Sequence, residues 1–96
     1  MTDADFFQIA KLLADPTRFA LLCAIARVDE MPCKRMVAEF DVSQATISHH
    51  LKELTNAGLI TGRREGQCGF FKARPKALAR YQNELNKRLA CPAALA

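Results

Sequence analysis

The sequence contains no apolar run that approaches the roughly 18–20 residues needed to cross a bilayer. Its first segment, Met1–Asp5, is acidic, whereas a secretory signal begins with basic residues. We therefore expect a cytoplasmic protein without a membrane partner. The sequence also lacks a phosphate-binding glycine loop and the short motifs of zinc peptidases and serine hydrolases, so we expect no enzymatic activity.

Soft metal ligands are few: the chain has four cysteines and two histidines. No two cysteines form the CxxC pair that is typical of zinc ribbons and thioredoxin-like sites. The histidines are adjacent, so on one helix they point about 100° apart and do not chelate one ion together. We expect free thiols, and the sequence identifies neither a metal site nor a definite cofactor.

The 96 residues are half apolar and one quarter charged, which is the balance of a single globular domain over residues 1–96. A domain of this size buries only about 60–65% of its unfolded surface, so we expect a partner subunit to stabilise it. Residues 1–42 carry five basic and seven acidic residues, and residues 43–96 carry nine and three. The basic half favours a polyanionic partner, although a solvated basic surface has the same composition.

Apolar residues recur at helical spacing in four segments before Gly58. Together with the N-caps Asp15 and Ser43 and the left-handed C-terminal cap Gly58, these patterns predict helices over residues 3–14, 16–28, 32–40 and 43–56. Spacing places Phe19 on the buried side of the second helix. The last two helices are joined by a short turn, and the outer side of the fourth is polar, as in a helix-turn-helix.

The character of the chain changes after Gly58, where residues 59–61 and 69–72 are strand-like and enclose a stretch rich in turn residues. They predict a β-hairpin, and a final helix follows Pro75. The apolar stripe of that helix consists of Leu78, Tyr81, Leu85 and Leu89. The predicted fold is therefore mostly α with a small β-hairpin, in the order α-α-α-α-β-β-α of a winged helix-turn-helix.

The outer face of the fourth helix is a candidate DNA-reading surface. It carries hydroxyl, imidazole and ammonium groups, which donate and accept hydrogen bonds at base edges and phosphates. An ordinary solvated helix face has a similar pattern. Gln44 is placed next to the helix N-terminus, the part of a recognition helix that enters the major groove. The other candidates on this face are Thr46, Ser48, His49 and Lys52.

The predicted hairpin is strongly basic, and Glu65 is the only acidic residue that we count against its bases. A ribbon of this charge suits a phosphate backbone or a minor groove. Its basic residues are Arg63, Arg64, Lys72 and Arg74.

Three segments of the chain resemble the ArsR/SmtB-type family of bacterial repressors: LADPTRFALLCAI (13–25), DVSQATISHHLKELTNAGLI (41–60) and RREGQCGFFKA (63–73). The resemblance implies a homodimer that pairs through residues 3–14 and 76–91. It also implies binding to a palindromic double-stranded DNA operator and release by an effector.

The same resemblance assigns individual residues. His50 matches a position that packs and forms hydrogen bonds rather than contacting DNA. The positions that match the recognition helix and the wing are Ser43, Gln44, Thr46, Ser48, His49, Arg63 and Arg64.

The metal sites of the family are not matched. Many arsenic sensors carry two cysteines at the start of the third helix, where this chain has Pro32 and Lys34 around Cys33. The other family site uses Asp and His on the last helix, and residues 75–96 contain neither. The resemblance therefore favours thiol chemistry over a metal site.

Cys23 resembles a cysteine of the sulfide- and persulfide-responsive members of the family, and Cys91 lies close to their second thiol. An oxidant or persulfide that bridges the two thiols is one expected inducer. Trivalent arsenic, such as arsenite, is the other, with Cys33 or Cys68 contributing. Two alternatives stay open: Cys23 is a small buried apolar residue, or the chain is a winged-helix DNA-binding module that senses neither thiol reagents nor metals.

Overall fold

The computed structural model describes residues 1–90 of the chain, which contain five helices and three short strands. The helices are α1 (Asp3–Leu13), α2 (Pro16–Ala26), α3 (Cys33–Glu39), α4 (Gln44–Asn56) and α5 (Pro75–Leu89). The strands are β1 (Met31–Pro32), β2 (Ile60–Glu65) and β3 (Cys68–Ala73). The predicted winged helix-turn-helix is confirmed, with one strand more than we expected.

Side-chain caps fix where α2 and α4 begin. The Asp15 side chain accepts a hydrogen bond from the backbone N–H of Arg18 at 3.0 Å, and Ser43 accepts one from the N–H of Thr46 at 3.1 Å. Each cap pairs an N–H that has no partner inside its helix. Gly58, after the end of α4, has a φ of +78°, a conformation that glycine adopts without strain. The predicted caps are therefore confirmed.

The strands form one antiparallel sheet in the order β1-β3-β2. β2 and β3 are the predicted hairpin, and they pair from Ile60 and Ala73 to Glu65 and Cys68. β1 was not predicted, because two residues are too few to show the alternation of a strand. Pro32, which we expected to start α3, is the N-cap of that helix and also lies opposite Phe70 in β1, at the edge of the sheet where proline is tolerated.

The core lies between the helices and the base of the hairpin. On α4, Ile47, Leu51 and Leu54 are buried as their spacing predicts. The prediction for Phe19 is wrong: its side chain is 46% exposed, and Leu21 is buried in its place. Apolar residues occur around most of α2, so spacing alone does not select the side that packs.

α1 and α5 lie side by side. The rings of Phe6 and Tyr81 stack with their centroids 5.2 Å apart, and Arg88 pairs with Asp3 at 2.8 Å. No residue of α5 is buried, and Leu89 is 61% exposed. This side of the molecule therefore leaves apolar surface open. Within residues 1–90 no helix has the length and apolar character of a membrane span.

Candidate nucleic-acid interface

The outer face of α4 stands clear of the core, and Gln44, Ser48, His49 and Lys52 are all exposed on it. Ser43 precedes the helix, and its hydroxyl lies 2.9 Å from that of Thr46. Two of the six predicted recognition-helix candidates thus contact each other at the N-terminus of α4. The exposed residues are unobstructed within the described chain and are able to meet a base edge or a phosphate.

A groove of about 790 Å³ separates α3 and α4 from the β2–β3 hairpin, which we call the wing. Gln44, Ser48 and Lys52 lie along its α4 side, and Arg64 lies on its wing side. The structure therefore brings candidate residues of helix and wing to one concave surface. Gly62 lies against the Phe71 ring, where a Cβ atom would come within 2.8 Å of Cε1, so a side chain has no room there.

Arg63, on the wing, is held by two carboxylates, one from the loop before β1 and one from the wing itself. Its Nε and Nη2 donate to the two oxygens of Glu30 at 2.9 and 2.7 Å, and Nη1 donates to Glu65 at 2.8 Å. The guanidinium also lies over the Phe70 ring, 4.6 Å from its centroid. These hydrogen bonds, the one with Glu30 above all, raise the pKa of Arg63 and lower the pKa of Glu30. The positive charge of Arg63 is therefore already balanced in the free protein.

No sequence pattern indicates the contact with Glu30, which lies 33 positions from Arg63 and belongs to the loop before β1. The wing is accordingly less basic than the sequence predicted. Arg64 and Lys72 form no ion pair with any residue in the described part of the chain. They are the wing cations that remain available for a phosphate.

His50 faces the core side of α4 and is buried. Its Nδ1 accepts a hydrogen bond from Nε of Arg18 at 3.2 Å, which confirms the predicted packing and hydrogen-bonding role. Arg18 itself was not singled out from the sequence. A buried histidine needs a donor or acceptor, which is a signal for such a partner, but nothing local indicates that α2 supplies it.

The three cysteines in the described part of the chain are not gathered at one place. Cys23 is half-buried on α2, and Cys91 lies outside the described residues. Cys33 and Cys68 both line the groove, and burial raises the pKa of the Cys33 thiol. Among residues 1–90, no three His, Cys, Asp or Glu side chains come together as a metal ion would require.

Comparison with known proteins agrees with this architecture. A family model described as a helix-turn-helix domain matches residues 13–63. The arsenic resistance transcriptional regulator ArsR1 of Pseudomonas putida is 35% identical over 71% of this chain and 53% of its own length. The arsenical resistance operon repressor of Staphylococcus xylosus is 33% identical over 75% of this chain and 68% of its own.

A solved structure, the ArsR-like transcriptional regulator from Rhodococcus sp. RHA1, superposes with a TM-score of 0.80. The superposition covers 91% of this chain and 81% of that one, at 23% sequence identity. This similarity supports the fold described above.

Proposed function

Because the chain belongs to the ArsR family of DNA-binding transcriptional repressors, we propose that it binds a palindromic operator as a homodimer and leaves it when its thiols meet an inducer. Relatives and fold are those of transcriptional regulators and not of enzymes, as the sequence predicted. The observation that carries the proposal is the groove, in which α4 and the wing present exposed polar and basic side chains to one side. The operator, the inducer and the assembly of the whole protein all belong to this proposal.

The proposed DNA contacts divide by chemistry. Gln44, at the N-terminus of α4, offers both a donor and an acceptor to a base edge. Lys52 and Arg64 offer positive charge to phosphates on either side of the groove. The remaining proposed contacts are Ser43, Thr46, Ser48, His49, Arg63 and Lys72.

We place the dimer interface on α1 and α5, over residues 3–14 and 76–91. Support comes from the apolar side chains that these helices leave exposed: Phe7 is 54% exposed, and Leu85 and Leu89 are exposed on α5. A second copy of this surface would cover them. The two α4 helices would then enter successive major grooves about 34–36 Å apart.

Release is proposed to act through thiols, by reaction with a persulfide or oxidant or by binding trivalent arsenic. Cys23 and Cys91 are the first pair, because α2 and the end of α5 lie close to the proposed dimer interface. Cys33 and Cys68 are the second pair, and their place on the groove supports it. A thiol ligand bound there would occupy the surface proposed for DNA.

The proposal is tested by selecting duplexes from a random-sequence pool with the full chain and measuring the assembly by sedimentation with and without the selected DNA. We expect a selected site with two related half-sites and a protein dimer on it. A chain that selects no sequence, or binds as a monomer to a site without symmetry, would contradict the proposal. Selection without any response to arsenite or polysulfide would favour the module that lacks sensing.

A further inference from the structure

The guanidinium of Arg18 joins three parts of the molecule. Nη1 donates to the backbone carbonyl of Leu12 at 3.3 Å, near the end of α1, while Nε donates to His50 and Nη2 donates to Oε1 of Glu53 at 3.2 Å, both on α4. The Arg18 side chain is only 12% exposed. A planar group with forked donors is required to reach three acceptors that lie in different directions. Arg18 therefore ties the part of α4 that carries His50 and Glu53 to α1 and α2.

Glu53 extends this arrangement to the exposed face of α4. Its Oε1, which accepts from Arg18, also contacts Nε2 of His49, one helical turn earlier. His49 is 66% exposed and belongs to the residues proposed to meet DNA. A glutamate on a helix surface ordinarily samples several rotamers, and the hydrogen bond from a buried guanidinium removes much of that freedom.

The contact also orients the His49 ring. Nε2 is occupied by the carboxylate, which leaves Nδ1 for a contact with DNA. Base edges in the major groove differ in their donors and acceptors, so the orientation of the ring decides which of them it meets.

We propose that Arg18 is a positioning residue for base recognition: through Glu53 it holds the His49 ring in one orientation. It thereby determines which base-edge group His49 contacts. The inference rests on the proposed function, because it takes the outer face of α4 as the surface that reads DNA.

The first test uses the full chain and a duplex selected by the parent protein, with single-base variants of that duplex. The protein variants are Arg18→Lys, Glu53→Ala and His49→Ala. Glu39→Ala is the matched control, because Glu39 pairs with an arginine at i,i+4 spacing on α3, away from this network. Glu53→Ala interrupts the link at its exposed end and leaves Arg18 paired with His50, so the test does not depend on how well Arg18→Lys folds.

We expect Arg18→Lys and Glu53→Ala to reduce base preference at the position that His49→Ala affects, by about five- to tenfold. Neither should reduce it further when combined with His49→Ala, and Glu39→Ala should leave it unchanged. A uniform loss of affinity on all duplexes with unaltered preference would overturn the inference, since a purely structural role gives that result.

A second measurement needs no DNA. Three-bond side-chain couplings of His49 in the free protein should show one rotamer in the parent, and averaging between rotamers in Glu53→Ala and Arg18→Lys. A parent that selects DNA but has His49 in several rotamers overturns this inference alone. A parent that selects no DNA overturns the proposed function as well.

Discussion

The carboxylate of Glu30 binds the guanidinium of Arg63 with two hydrogen bonds, at 2.7 and 2.9 Å, and so balances one of the two adjacent arginines of the wing. Arg64, the next residue, forms no ion pair within residues 1–90. The two arginines therefore differ in what they offer to a phosphate, although the sequence alone makes them equivalent.

We predict that Arg64→Ala weakens binding to all duplexes. It should also make the fall of log K with log salt shallower by about 0.9, the value for one lost phosphate contact. Glu30→Gln should have the opposite effect, because it releases Arg63 toward the backbone and steepens the slope. Fluorescence anisotropy of a labelled duplex in a KCl series measures both. An unchanged slope in Arg64→Ala would remove Arg64 from the interface.

The N-cap of α4 gives a prediction about stability. Ser43→Ala leaves the N–H of Thr46 without its side-chain partner and should lower the free energy of unfolding by about 1 kcal/mol. Ser48→Ala, an exposed serine within the same helix, is the control and should change it by less than about 0.5 kcal/mol. Urea denaturation followed by circular dichroism compares the two. Equal effects would mean that the cap does not stabilise the helix.

Asp15 gives a pH dependence with a defined sign. The hydrogen bond from the Arg18 N–H holds the pKa of its carboxyl below the usual 3.8. Because the folded pKa is the lower one, the charged carboxylate stabilises the fold above pH 3.8, and that contribution is lost as the pH falls through the folded pKa. Asp15→Asn should therefore be less stable than the parent at neutral pH, and the difference should shrink in acid. Urea midpoints from pH 7 to pH 3 test this, and a constant difference would contradict it.

The exposed apolar side of α5 predicts where the subunits meet. Leu85→Glu places a charge on the proposed interface and should raise the dimer dissociation constant at least about tenfold. Asn83→Glu, an exposed residue on another side of α5, adds the same charge and should leave the dimer intact. Sedimentation velocity over a concentration series distinguishes them. Dissociation by both variants, or by neither, would move the interface away from this side of α5.

The two thiol pairs lead to different outcomes under arsenite or polysulfide. If Cys23 and Cys91 carry the response, Cys23→Ser and Cys91→Ser should stay on DNA at concentrations that release the parent. If Cys33 and Cys68 carry it, their serine variants should resist instead. Mass spectrometry of the modified thiols, together with gel shifts, separates the pairs. Release of all four variants like the parent would exclude a thiol switch.

Local features of this chain were predictable because their causes are local. The Ser43 cap, the buried stripe from Ile47 to Leu54 and the hairpin each depend on residues within a few positions of one another. The ion pairs of Arg63 with Glu30 and of Arg18 with Glu53 join residues 33 and 35 positions apart. No periodicity or spacing encodes such contacts, since they arise only once the helices and the sheet have packed. β1 was missed because its two residues are too few to show the alternation of a strand.

β3 has a neighbour on both sides at Phe70 and Phe71, where β1 and β2 flank it, whereas the turn around Gly66 extends beyond β1. Amide hydrogens at Phe70 and Phe71 should therefore exchange with solvent slowly, and those near Gly66 quickly. A hairpin with a fixed base and an adaptable end is able to follow minor grooves of different width without moving α4. The wing is thus suited to sensing the shape of the duplex, beside the reading of its bases that we propose for α4.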